Sequence, residues 1–304
     1  MKFIPNIITD WWFRSSVSLN MQVDIVIYSY NRPMQLYALL ESIYHYMSGM
    51  GTIFVIYRAS HDRYNDGYSI IRNKFPAVCY VRQGTDPEKD FKTLTLDAVY
   101  NSSNAYAMFA VDDIIVKDVV DLVYCTKMLA YIGAYGFYLR LGKNISYSYA
   151  NDRFEKVPNL AAVEGDMYSW MLGDGECEWR YAHTVDMTIY RKKDIRHALH
   201  SLSYENPNTF EGHWSTLAYK VMHRKALCFE YSKIVNIPLN LVQNVCNNRH
   251  MGAYTPDELL ELFEKGFRID IHDFYKIQNN GPHMDYQPHF VMLSGEDNSV
   301  VKDI

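Results

Sequence analysis

Residues 23–140 alternate between two periodicities, and that alternation restricts the chain to one broad kind of architecture. Val23-Asp-Ile-Val-Ile-Tyr-Ser-Tyr30 is a β-branched apolar run of the kind found in a buried parallel strand. Pro33 then opens a helical pattern. Leu36, Leu39, Leu40, Ile43 and Met47 follow the i, i+3, i+4, i+7 rule, and Gly49 lies beyond the end. Residues 52–57 repeat the strand pattern, residues 68–75 predict a short helix closed by Pro76, and residues 77–81 predict a third strand. Residues 91–100 predict a helix and residues 106–111 a fourth strand. A further amphipathic helix runs from Asp118 to about Ile132, with Asp118 and Asp121 near its positive N-terminal end. Strands separated by helices predict a right-handed, mostly parallel α/β sheet. Ligands bind beyond the carboxyl ends of the strands in such a sheet. That rule puts residues 29–33, 58–62, 83–92 and 112–113 on one rim.

After residues 136–140, which predict a strand, the regularity fades. Residues 142–185 are rich in Asn, Gly, Asp, Tyr and Trp and read as a long, mobile loop, a length that is usually functional or disordered. Residues 186–190 predict a strand, and helices follow around 193–202 and from 210 to 223. Strands are expected at 226–231 and 234–237. A last helix, 256–267, starts with Thr255 and Glu258 at capping-box spacing. From Gln278 the chain is polar and tail-like. With no internal repeat or linker, the simplest organisation is an N-terminal arm (1–21), one domain (22–250, in halves of 22–140 and 141–250), and a C-terminal helix and tail (251–304).

The chain of 304 residues has a net charge of −5 and no basic stripe, which removes the electrostatic case for a nucleic-acid partner. Five scattered cysteines include no CxxC pair, so the sequence supports neither a zinc site nor a disulfide framework, and a reducing, cytoplasmic setting is expected. No apolar run approaches the ~20 residues a membrane span needs. Trp11-Trp12-Phe13 either packs back on the domain or makes a peripheral membrane contact. The sequons at Asn101 and Asn144 are short enough to arise by chance. Tyrosine is abundant, 26 of 304, and its rings suit both nucleobase and sugar faces.

The fourth strand runs into Asp112 and Asp113 in the stretch FAVDDI. Adjacent ionised carboxylates repel and are tolerable only in water or beside a cation. They either form an acidic loop or hold a divalent ion, which takes one or two carboxylates plus substrate phosphates. With YSYNRP after the first strand and Asp62 after the second, the order of motifs over roughly residues 22–250 resembles the GT-A glycosyltransferases, especially the family-2-like group.

That resemblance implies a nucleotide-binding half followed by an acceptor half, and the expectations that follow rest on it. Asp113 would be a ligand of Mn²⁺ or Mg²⁺, with Asp112 on the ribose or the metal. Val111 departs from the D-x-D pattern. Ser29, Tyr30, Asn31 and Arg32 would cradle the nucleobase and ribose, unless Asn31 merely caps the helix. Asp62 would read a uracil or ribose edge or be a turn residue, and Lys92 would face the nucleotide or solvent. Glu211 would be the general base at a helix start, in competition with a capping-box role opposite Asn208. Asp186 is the other candidate base, at the edge of a strand lining the acceptor pocket. Trp214 is either a sugar platform or core. Arg249 and His250 would meet the diphosphate or the metal.

The activity implied is sugar transfer from a UDP-, GDP- or dTDP-sugar to a hydroxyl of a glycan or glycoconjugate, with Glu211 as base implying direct displacement and inversion. Two alternatives stand beside it. A sugar nucleotidyltransferase would carry a Gly-rich loop after strand one, and YSYNRP has no glycine. A silent carbohydrate-binding protein would not need both Asp113 and Glu211.

Overall fold

The computed structural model describes residues 20–242 and 249–292. The expected N-terminal arm lies outside them except for its last residues, and so do residues 243–248. β1 (Val23–Tyr30) is buried on both faces, as its β-branched composition requires. It pairs in parallel with β2 (Met50–Arg58) on one side and β4 (Tyr106–Val111) on the other, and β2 pairs in parallel with β3 (Cys79–Arg82). The crossovers are helices α1 (Pro33–Tyr46), α2 (Asp62–Lys74) and α3 (Pro87–Tyr100). α2 and α3 begin earlier than periodicity suggested, because their polar first turns carry no apolar signal.

After Asp113 the chain forms β5 (Ile114–Val116), which leaves the main sheet. It pairs antiparallel with β11 (Ile234–Asn236). α4 (Leu122–Ile132) starts later than expected. Asp121, whose carboxylate accepts from the Tyr124 amide at 3.0 Å, is its N-cap. Asp118 is instead paired with Lys233 at 2.6 Å.

The second half adds β6 (Gly136–Tyr138), β7 (Ala161–Ala162), β8 (Met167–Met171), β9 (Thr188–Arg191) and β10 (Lys225–Phe229). The nine-stranded sheet has the order β7-β8-β10-β6-β9-β4-β1-β2-β3. Its parallel run from β4 to β3 continues into a mixed half, where β9 lies antiparallel to β4. This reversal positions the site, since residues that precede β9 fall beside the carboxyl end of β4. The Met187 amide donates to the Phe109 carbonyl at 2.8 Å.

The stretch 142–185 is not a loop over the site. It holds two strands of the main sheet and a separate antiparallel pair, Tyr147–Ser148 with Arg153–Phe154. Its tryptophans are core: Trp170 and Trp179 are buried, Trp170 Nε1 donates to the Trp179 carbonyl, and Trp179 Nε1 donates to the Ile145 carbonyl, both at 3.0 Å. Short strands interrupted by Gly and Asp hide such a core from periodicity analysis. Trp214 is also core, at 0% exposure, stacked on His183 and Phe210.

α5 (Lys192–Ser201) and α6 (Pro207–Ser215) complete this half. α7 (Pro256–Glu264) has the expected Thr255–Glu258 capping box. It is followed by the hairpin partners β12 (Phe267–Ile269) and β13 (Phe290–Met292). The expected tail is therefore built in as far as residue 292. The Asn236 amide donates to the Pro282 carbonyl at 2.9 Å, and the Met284 amide to the Asn236 carbonyl at 3.0 Å. No helix among the described residues is long and apolar enough to cross a membrane.

Candidate active site

The doubled aspartate has an internal cation. Asp112 is 3% exposed, and one guanidinium nitrogen of Arg32 donates to Asp112 Oδ1 at 3.0 Å and to Asp113 Oδ2 at 3.2 Å. Asp112 Oδ2 accepts the Tyr30 backbone amide at 3.3 Å. Burial pushes the Asp112 carboxyl up to about 6, against the downward pull of Arg32, and Asp113 adds to the rise.

Arg32 is held from behind by two residues that the sequence reading missed. Asn240 accepts Arg32 Nε at its side-chain oxygen at 2.9 Å and a second guanidinium nitrogen at its carbonyl. The buried Tyr68 hydroxyl accepts the Arg32 amide at 3.3 Å and shares a 2.7 Å hydrogen bond with Ser29 Oγ. Neither residue belongs to a motif. Asn240 sits between apolar neighbours and Tyr68 in mid-helix, so only the fold reveals them.

Asn31 does not cap α1, whose N-cap is Arg32. Its φ of +53° is the left-handed conformation that Asn tolerates. From there it exchanges hydrogen bonds with Ser60: Asn31 Nδ2 donates to Ser60 Oγ, and the Ser60 amide donates to Asn31 Oδ1, both at 2.9 Å. The Arg58 guanidinium covers the Tyr30 ring at 4.9 Å. Asp62 is exposed in the first turn of α2, two residues beyond Ser60. Residues 29–33, 58–62 and 112–113 thus share one rim.

The second centre lies next to it. Glu211 is not part of the cap of α6, because the capping box there is formed by Asn206 and Thr209. Its carboxylate instead accepts the Val185 backbone amide at 2.9 Å. Burial first, and then the negative charge of Asp186, push the Glu211 carboxyl up to about 7. Asp186 is buried and accepts Asn236 Nδ2 at 3.1 Å. Asn236 belongs to the strand paired with Ile114, and the next amide, Ile237, donates to the Asp113 carbonyl at 2.8 Å. One strand therefore ties the Glu211–Asp186 pair to the turn that carries Asp113. Arg140, 1% exposed, pairs with Glu178 at 2.6 Å and lends positive potential to Asp186 and Glu211.

Two expected residues, Lys92 and Arg249, are engaged by other partners. Lys92 Nζ donates to the carbonyls of His200 at 2.8 Å and Leu202 at 2.6 Å, where it closes the C-terminal end of α5. Arg249 lies over the Tyr149 ring at 4.3 Å and pairs with Asp152 at 2.9 Å. His250 is exposed, and the described residues contain no group of three His, Cys, Asp or Glu side chains able to hold a metal ion. The position next to Asp112 and Asp113 that Mn²⁺ or Mg²⁺ would take is filled by Arg32. The residues present do not fit a divalent ion.

No protein-family model matches the chain. It is 24% identical over 258 residues to the bifunctional glycosyltransferase pgtA of Dictyostelium discoideum, an alignment that covers 74% of this chain and 33% of pgtA. The chain thus spans about a third of that relative's length. Among solved structures, S. aureus TarS 1-349 in complex with UDP-GlcNAc is 12% identical, covering 77% of this chain and 61% of that one, with a TM-score of 0.46. The mannosyltransferase PcManGT from Pyrobaculum calidifontis, in complex with GDP-Man and Mn²⁺, is 11% identical, covering 67% and 53%, with a TM-score of 0.37. The nine-stranded sheet, with helical crossovers in its parallel half, is the α/β arrangement that a resemblance to the GT-A fold implies.

Proposed function

We propose that the chain transfers a sugar from a nucleoside-diphosphate-sugar to a hydroxyl of a glycan or glycoconjugate, by direct displacement with inversion. The observation that carries this reading is the Glu211–Asp186 pair, with Glu211 pushed up to about 7, joined through Asn236 to the Asp113 turn on the carboxyl rim. A carboxylate tuned toward neutrality is suited to general-base work. The similarity to pgtA supports the same reaction class.

The donor nucleoside would lie against Ser29–Arg32, with Asp62 at the rim; Asp112, buried and bonded at both oxygens, would shape this wall rather than bind the ribose directly. The acceptor oxygen attacks the anomeric carbon as its proton passes to Glu211. The bond from that carbon to the diphosphate oxygen breaks, and its electron pair leaves with the nucleoside diphosphate. Asp186, fixed by Asn236, keeps negative charge beside Glu211 and so raises its affinity for the arriving proton. Reaction needs a hydrogen-bond distance of roughly 2.6–3.2 Å between the Glu211 carboxylate and the acceptor oxygen.

A thermal-shift screen of UDP-, GDP- and dTDP-sugars identifies the donor, since a ligand of the folded state raises its stability by about 2.7 kcal/mol at a hundredfold excess over Kd. Transfer from the best donor to a glycan panel then tests the activity. Failure of every donor to bind contradicts the reading.

A further inference from the structure

We propose that Arg32 is the resident cation of the Asp112–Asp113 turn, and that the nucleoside diphosphate binds here without a divalent metal. This rests on the glycosyl-transfer reading above and adds the charge chemistry of its donor site. Two adjacent carboxylates, one almost fully buried, need a positive partner. The guanidinium already bridges them, at 3.0 and 3.2 Å.

Arg32 is not a side chain that swings aside. Its Nε and its other terminal nitrogen are both bound to Asn240, and its backbone amide is bound to Tyr68. Among the described residues, four of its five N–H groups are engaged, which leaves one for a phosphate oxygen, a geometry that guanidinium favours. A metal ion at Asp112 or Asp113 would have to displace this group and strand a buried guanidinium beside Asn240.

The remaining acceptor of the turn, Asp113 Oδ1, is buried without a hydrogen-bond partner. Asp113 lines a cavity of about 10 Å³ shared with Gln35, whose Nε2 is also unpartnered, and with Ile115, Ile237, Leu239 and Phe274. That volume suits one water at most. It does not suit Mg²⁺ or Mn²⁺ with the several waters and near-octahedral oxygen shell such ions keep. Both oxygens of Asp112 are occupied, and the cavity that Asp113 lines is apolar apart from Gln35 and the two aspartates.

Calorimetric titration of the full chain with UDP, GDP and dTDP, each in excess EDTA and in excess Mn²⁺, tests this. The nucleotide that binds should keep its Kd within about threefold between the two conditions. Mn²⁺ titrated alone should give no heat with the native chain and a measurable site in Arg32→Ala, where the two carboxylates lose their cation. Binding weakened about tenfold or more in EDTA, or a stoichiometric Mn²⁺ site in the native chain, overturns the proposal and leaves glycosyl transfer standing. If no nucleoside diphosphate binds under either condition, the transfer reading falls and this inference falls with it. Should Arg32→Ala fail to fold, the two arms on the native chain decide alone.

Discussion

Asn236 holds Asp186: its side-chain amide donates to the Asp186 carboxylate at 3.1 Å, from a strand whose next amide is bonded to the Asp113 carbonyl. The residue that fixes Asp186 is therefore anchored beside the turn that carries Asp113. Asn236→Leu should lower kcat about tenfold or more through misplacement of the pair, while the nucleoside diphosphate Kd changes little. Steady-state kinetics together with calorimetry separate the two effects. An equal loss in both would make Asn236 a general structural residue rather than a positioning one.

As the proposed general base, Glu211 should set the pH dependence. As a base it must be ionised, and burial beside Asp186 pushes it up to about 7. The transfer rate should therefore rise with pH through about 7 and level off above it. A profile already flat from pH 5.5 to 8.5 would assign the base elsewhere.

The same shift predicts a stability effect of opposite sense. A carboxyl raised above its ordinary value of 4.5 binds its proton more tightly in the folded state. Its stabilising contribution is complete at low pH and is lost as pH rises through about 7. Glu211→Gln keeps an oxygen for the Val185 amide and removes the buried charge. It should gain about 1–3 kcal/mol over the native chain at pH 8 and nothing near pH 4. Asp112 and Glu155 are raised in the same sense, to about 6 and about 7, so the difference between variant and native chain isolates Glu211. Urea titrations at the two pH values measure it.

The placement of residues 142–185 has its own test. Trp179 is buried against Trp170 and anchored at Ile145. Trp179→Ala should cost about 3–5 kcal/mol of folding stability. A loss below about 1 kcal/mol would restore the loop that composition suggests.

The N-terminal half was legible because its strands are continuous apolar runs: the ends of β1 and β4 coincide with the expected ones, Val23–Tyr30 and Tyr106–Val111. Asp112, Asp113, Arg32 and Ser29 were found as neighbours for the same reason, through the rim rule. What sequence could not show is that Arg32 neutralises the aspartates, since that ion pair joins residues 80 positions apart. The cap of α6 was misplaced by two residues, because Asn206 and Asn208 both precede a plausible partner three positions on. The structure gives the box to Asn206 and Thr209, which frees Glu211 to meet Val185. Lys92 looked like a nucleotide contact only while the end of α5 beside it was invisible.

The central claim is that Glu211 removes the acceptor proton at a nucleotide-sugar site. Its most direct test is sugar transfer by the native chain and by Glu211→Gln, with the best donor from the binding screen. The account predicts transfer by the native chain and a loss of about 10²- to 10⁴-fold in the variant, with donor affinity unchanged. Transfer by Glu211→Gln at the native rate would contradict it.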